Sequence, residues 1–257
     1  MPQIFLRQLA GKTRTRRANR QLGFLLAFVA GAINAGGFMA IARYTSHMTG
    51  IVSGAADDLA LGLVMSALGG LALVGVFMSG AMTTALLTNW ARLRHLNSEY
   101  ALSLLLEAVL LLGFGLLGST LGRYPTLFVP AFAPGTVALL CFIMGLQNAI
   151  VTKISHAEIR TTHMTGVITD LGIELGKLVY WNRTVDATHE NFVRANRDKL
   201  RIHSTILGCF MVGGFLGALA FKHFSFAATI PFAALLAVLA ALPILDDVRL
   251  SLSKNRS

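Results

Sequence analysis

Charge is scarce in this 257-residue sequence: Asp, Glu, Lys and Arg make up 13% of it, while 54% of the residues are hydrophobic. A soluble domain carries about 25% charged residues, so this chain cannot cover a core with a water-facing shell. Cysteine is scarcer still, with Cys141 and Cys209 both inside apolar runs. They form neither a disulfide framework nor a metal-ligand spacing, and read as small hydrophobes. Also missing are a Gly-x-Ser-x-Gly elbow, a phosphate loop and a His-Glu-x-x-His pair, the short patterns of several enzyme classes. A soluble enzyme, a disulfide-stapled domain and a disordered regulator are excluded. No catalytic residue, metal or cofactor is expected.

Long apolar runs are what the sequence has instead. No acid or base falls between Leu59 and Ala91, and a bilayer crossing needs only about 20 such residues. Runs of comparable length cover Leu22–Ile41, Ser66–Trp90, Tyr100–Gly122, Pro134–Thr152, Ile202–Phe221 and Phe224–Leu245. Two shorter apolar stretches, about 48–64 and 164–180, carry acids: Asp57 and Asp58 in the first, Asp170 and Glu174 in the second. The basic start with Ala30-Gly31-Ala32 imitates a signal peptide. The apolar run continues to Ile41, so the segment is expected to stay.

The net charge of +10 is explained by topology. Lys and Arg collect in cytoplasmic segments, so no nucleic-acid partner is needed. If both short stretches enter and leave the membrane on one side, both termini are cytoplasmic. Arg7, Lys12, Arg14, Arg16, Arg17 and Arg20 then lie inside, as do Arg92, Arg94, Arg160, Arg183, Arg194, Arg197, Lys199, Arg201, Arg249, Lys254 and Arg256. Only Arg43, Arg123 and Lys222 lie outside. Eight full crossings would move Arg92, Arg94 and Arg160 outside. The expected fold is therefore an all-α integral membrane protein with six transmembrane helices and two short re-entrant half-helices.

An internal repeat organises these segments. Thr45-Ser46-His47-Met48-Thr49-Gly50-Ile51-Val52-Ser53 matches Thr161-Thr162-His163-Met164-Thr165-Gly166-Val167-Ile168-Thr169, with five of nine positions identical. Upstream, Gly31-Ala32-Ile33-Asn34-Ala35 matches Gly145-Leu146-Gln147-Asn148-Ala149, and downstream Asp58 aligns with Glu174. The expected units are a basic cytoplasmic segment 1–20, repeats 21–125 and 126–246, and a tail 247–257. Three crossings per half invert the second half relative to the first, an arrangement recurrent in transporters. Eight crossings would make the halves parallel.

Ala30-Gly31-Ala32-Ile33-Asn34-Ala35-Gly36-Gly37, Thr45 to Gly50, Ser53 to Asp58 and Thr162 to Gly166 resemble signatures of the YoaK-like family of bacterial membrane proteins. The resemblance covers about residues 21–245. It implies a multi-pass inner-membrane protein and supplies no substrate.

Each duplicated motif reads as a helix start with hydroxyl caps, whose free N–H groups can hold an anion. The candidate solute-binding residues are His47, Thr49, Gly50, Asp58, His163, Thr165, Gly166, Asp170, Glu174, Asn34 and Asn148. The histidines offer proton coupling or merely a hydrogen bond that seats the helix. The acids are ion or proton sites, or carboxylates in interfacial water. Asn34 and Asn148 line a route, or bond helix to helix. Met48 and Met164 invite soft metal, yet Met is ordinary apolar filler. Glu107 reads as a buried partner for a His or Lys, or as a structural charge that reaches the cytoplasmic interface. Gly118-x-x-x-Gly122 and Gly213-x-x-x-Gly217 fit tight helix contact within a monomer or a homo-oligomer. Loop 181–201 reads as an amphipathic surface helix or a solvated connector.

The leading expectation is a permease or channel-like carrier for a small solute, anionic or proton-coupled, working in the lipid bilayer of a bacterial inner membrane. The alternative is a non-transporting scaffold or sensor acting through loop 181–201. An intramembrane hydrolase or transferase using the histidines and acids ranks third.

Overall fold

The computed structural model describes residues 15–41, 44–121, 133–154, 162–180 and 192–254. Among them every regular element is helical: α1 (Arg16–Ile41), α2 (Met48–Ala60), α3 (Val64–Leu93), α4 (Ala101–Leu121), α5 (Ala133–Ile154), α6 (Met164–Val179), α7 (Arg197–Phe224) and α8 (Thr229–Lys254). A 3-10 turn, Ser225–Ala228, joins the last two. Helices suit these sequences because a backbone in lipid must satisfy its polar groups internally. Thr15 Oγ1 accepts from the Ala18 N–H to start α1, and the Asn196 side chain accepts from Lys199 N–H to start α7, both ordinary N-caps. Ser225, at φ +49°, ends α7.

Five segments are long and apolar enough to cross a membrane: Arg16–Met39, Val64–Leu93, Ala101–Thr120, Pro134–Ile154 and Arg197–Ser253. The last runs for 57 residues and contains α7, the 3-10 turn and α8. The half-helices α2 and α6 have 13 and 16 residues. At 1.5 Å per residue these reach about 20 and 24 Å, short of a core about 30 Å thick.

Two boundaries differ from the sequence reading. Helix α1 begins at Arg16, so Arg16, Arg17 and Arg20 form its first turns rather than a separate basic segment. Arg197 to Arg201 open α7 instead of closing a loop. Residues 192–196 are non-helical, and 181–191 lie outside the described residues, with Trp181.

The main helix pairs are α1 with α7, α3 with α5, and α4 with α8. Glycine decides the first two. A Cβ on Gly31 would overlap the Phe210 carbonyl oxygen, and one on Gly213 would overlap the Phe28 carbonyl oxygen. Likewise Gly145 faces the Phe77 carbonyl and Gly80 the Phe142 carbonyl. The same Phe-x-x-Gly step therefore forms all four sides of these crossings, as Phe28–Gly31, Phe77–Gly80, Phe142–Gly145 and Phe210–Gly213. Each copy of the step interlocks with a copy on the facing helix. Without a hydrophobic drive between helices in lipid, such close backbone approach supplies the packing. Further along, Gly217 meets Ala32 and Gly36 meets the Phe221 ring, so α1 and α7 run parallel. Thr84 Oγ1 donates to the Leu146 carbonyl, and α3 and α5 likewise run parallel.

Contacts at helix ends show which ends lie together. Asn19 Nδ2 donates to the Ile154 carbonyl, tying the start of α1 to the end of α5. Lys153 Nζ donates to Asn89 Oδ1 on the last turns of α3. Asp247, near the end of α8, accepts from the backbone N–H of Asn97 and Ser98, just before α4. One end of the bundle thus holds the starts of α1 and α4 and the ends of α3, α5 and α8.

Candidate functional site

Both His-Met-Thr-Gly motifs adopt one local structure. His47 is the N-cap of α2 with φ −88° and ψ 64°, and His163 is the N-cap of α6 with φ −82° and ψ 58°. Neither helix start has a side-chain cap bond. The expected hydroxyl caps are therefore corrected: the hydroxyls go elsewhere. Ser46 Oγ donates to Asn34 Oδ1 at 2.8 Å, and Thr162 Oγ1 donates to Asn148 Oδ1 at 2.6 Å. Asn148 Nδ2 in turn donates to the Met144 carbonyl at 2.8 Å, which fixes the amide.

Glycine at the third helical position has a local cause. A Cβ on Gly50 would sit 2.7 Å from His47 Nδ1, and one on Gly166 would overlap the His163 ring. Each imidazole folds back over the first turn of its own helix, where only glycine leaves room. The first intrahelical bonds, Ile51 N–H to His47 carbonyl and Val167 N–H to His163 carbonyl, follow directly. The N–H groups of the turn before them have no intrahelical acceptor, as at any helix start. His47, Thr49, His163 and Thr165 are exposed on the chain, while Gly50, Gly166, Asn34 and Asn148 are half-buried.

Asp58 and Glu174 sit toward the other ends of the half-helices and Asp170 near the middle of α6, each bonded within its own half. Asp58 Oδ2 accepts from Ser66 Oγ at 2.5 Å. Glu174, buried, accepts from Lys177 Nζ at 2.9 Å and from the Asn196 N–H at 2.7 Å. The Asn196 backbone bond, then the Lys177 bond, hold its carboxyl below the usual range. Asp170 lies against Lys199 Nζ at 3.1 Å and His203 Nε2 at 3.5 Å. His203 is itself buried, with Nδ1 at 2.9 Å from the Lys199 carbonyl. The acids thus lie apart from the motif histidines, with Asp58 tied to the start of α3 and Glu174 to the start of α7, at the opposite end of the bundle.

Sequence reading missed Lys199 and His203. Their spacing of four along α7 puts them on one face, and Asp170 aligns with Gly54 in the other half, so among the described residues this ion cluster has no counterpart in the first half. That mismatch was the available signal. Among the described residues, no group of three or more His, Cys, Asp or Glu gathers to hold a metal.

A family model described as "Protein of unknown function (DUF1275)" matches residues 22–242. The chain belongs to that family. No curated protein and no solved structure matches it.

Proposed function

We propose that this DUF1275 member, YoaK-like in its motif residues, is a permease or channel-like carrier of the bacterial inner membrane for a small solute. The observation that carries the reading is the pairing of two unlinked half-helix starts in one geometry. Each has a hydroxyl bonded to an asparagine of the preceding long helix and a histidine folded over a glycine.

The architecture supporting it has six crossings, α1, α3, α4, α5, α7 and α8, with α2 and α6 re-entrant. Helices α1 and α7 start at the end of the bundle where α3 and α5 finish. The chain between α1 and α3 then leaves and returns on one side, and the chain between α5 and α7 on the other. Helix pairing supports an inverted repeat, since α1 packs on α7 as α5 packs on α3. Leu26 lies level with Gln147, and Gly37 with Leu140. Along those antiparallel helices Asn34 and Asn148 are separated by about 10 Å. Two half-helix N-termini meeting at such a spacing, from opposite sides, present free N–H groups and positive dipole ends to an anion.

The test is flux of small monovalent anions into proteoliposomes, followed by light scattering. His47→Ala and His163→Ala should each abolish flux while the purified protein stays folded and monodisperse. Flux retained in both would remove the site assignment.

A second reading has one observation behind it. Asn196 and Lys199, within the segment read from the sequence as loop 181–201, join His203 in tying α6 to α7, and among the described residues the first half has no such cluster. A scaffold or sensor acting through that loop would lose its phenotype when the loop is exchanged, with anion flux unaffected.

A further inference from the structure

The core of the bundle contains a carboxylate that nothing above uses. Glu107 is 0% exposed, and both of its oxygens lack a hydrogen-bond partner. It lies on the inward stripe of α4 with Leu104, Ala108, Leu111 and Phe114, all buried. The polar atoms with unmet capacity nearby in the fold are few. Ser103 Oγ, one turn earlier on the same face, is fully buried and unpartnered. On the facing helix α5, Gln147 donates to the Leu26 carbonyl but leaves Oε1 buried and unpartnered. Glu107 is six residues in from the start of α4, and Gln147 is seven in from the end of α5. Those two helix ends lie together, so both residues sit at about the same depth, near 10 Å.

The charged groups on the elements packed against α4 lie at helix ends, with Arg249 exposed beyond Asp247 on the last turns of α8. Arg92 on α3 donates from Nε to Glu99 at 2.7 Å. Lys153 on α5 bonds Asn89. Asp247 on α8 holds the turn before α4, and its neighbour Asp246 is also engaged. The 3-10 turn Ser225–Ala228 carries no titratable side chain. Among the described residues, therefore, no cation is bonded to Glu107. An ionised carboxylate there would be a bare buried charge, and buried charges are otherwise paired.

A metal cation is a poor occupant. Hard cations take about six or more oxygen ligands, and the atoms here fall short of that. A proton asks for much less. Protonation turns the acceptor-only carboxylate into a donor, and Ser103 Oγ, Gln147 Oε1 and, near the end of α3, Thr88 Oγ1 are buried acceptors without a partner at that end of the bundle. We propose that Glu107 is a proton-binding site in the membrane core, which holds its proton in the packed state described here. Ionisable groups at this depth are commonly functional. The proposal stands apart from the solute site, because its readout needs no solute.

The test is infrared difference spectroscopy of the full-length protein in lipid, wild type minus Glu107→Gln, near neutral pH. The expected result is a protonated-carboxyl C=O band that the variant lacks entirely. An ionised-carboxylate band in its place would overturn the proposal. Glu107→Asp keeps the acid and should shift that band, which preserves the test if the glutamine variant folds poorly. Melting curves give a second readout. Glutamine mimics the neutral acid, so wild type and Glu107→Gln should melt together at acid pH, with wild type falling behind as pH rises. A variant that melts differently by the same margin at every pH would again overturn it.

Discussion

The Ser46 hydroxyl donates to Asn34 Oδ1 across 2.8 Å, pinning the start of α2 to the wall of α1. Thr162 does the same to Asn148 in the second half, at 2.6 Å. In each case the hydroxyl that would have capped the short helix is spent on the long one. The first-turn N–H groups are thereby left for something else, and His47 and His163 lie over that turn.

Breaking one of these bonds should loosen a half-helix without unfolding the bundle. Hydrogen bonds between membrane helices average about 0.6 kcal/mol and reach about 1.7 kcal/mol. Asn34→Ala and Asn148→Ala should each lower the melting temperature of purified protein by a few degrees. Adding Ser46→Ala to Asn34→Ala should cost little more, because the partner is already gone. Full additivity in that double-mutant cycle would show that the pair does not interact.

The glycine crossings predict larger effects. Gly31→Ala, Gly80→Ala, Gly145→Ala and Gly213→Ala each drive a methyl into a carbonyl of the facing helix. Overpacking of this kind costs about 1–3 kcal/mol. Gly75 and Gly208 meet nothing within 4 Å, so alanine there should be neutral or stabilising, since it favours helix. Melting of the six variants side by side checks the contrast. Equal effects at crossing and open sites would refute the packing account.

Glu174 gives a pH dependence of definite sign. Its folded carboxyl is held below the usual range by the Asn196 N–H and Lys177. A depressed carboxylate adds stability above its unfolded value of about 4.3 and loses it as pH falls through the folded one. The α6–α7 junction should therefore hold at neutral pH and loosen in acid below about pH 4. Hydrogen exchange across Asp170–Asn196 should rise there in wild type. Glu174→Gln should already show raised exchange at neutral pH and little further change.

Much of the helix layout was legible because charge is so costly in lipid. The uncharged run from Leu59 to Ala91 anticipated α3, and the short acid-bearing stretches anticipated α2 and α6. The matched Asn34 and Asn148 were visible as a repeat, but their hydroxyl partners were not. Ser46 and Thr162 read as caps, since capping needs only local sequence and the bond to Asn depends on how the chain folds back. The four Phe-x-x-Gly steps were hidden for another reason. The connection from Val179 to Arg197 is longer than that from Ala60 to Val64, so Phe77–Gly80 and Phe210–Gly213 fall out of register with the matched His-Met-Thr-Gly motifs. Glu107 lies two turns into its helix, where a snorkelling charge is ordinary, and only the packing of α4 on α5 and α8 shows that it cannot reach water.

The number of crossings decides whether the two half-helix starts approach from opposite sides, and three single cysteines settle it. In a background with Cys141→Ala and Cys209→Ala, the probes are Ser66→Cys, His95→Cys and Asn196→Cys, exposed to a membrane-impermeant thiol reagent in intact cells. Ser66 and His95 lie at opposite ends of α3 and are both exposed on the chain. Asn196 lies at the start of α7, which runs parallel to α1. Six crossings with two re-entrant helices predict labelling at Ser66→Cys and protection at His95→Cys and Asn196→Cys. Eight crossings predict the reverse at the first two positions. That outcome would make the halves parallel, and the two free helix starts would no longer face one solute from opposite sides of the membrane.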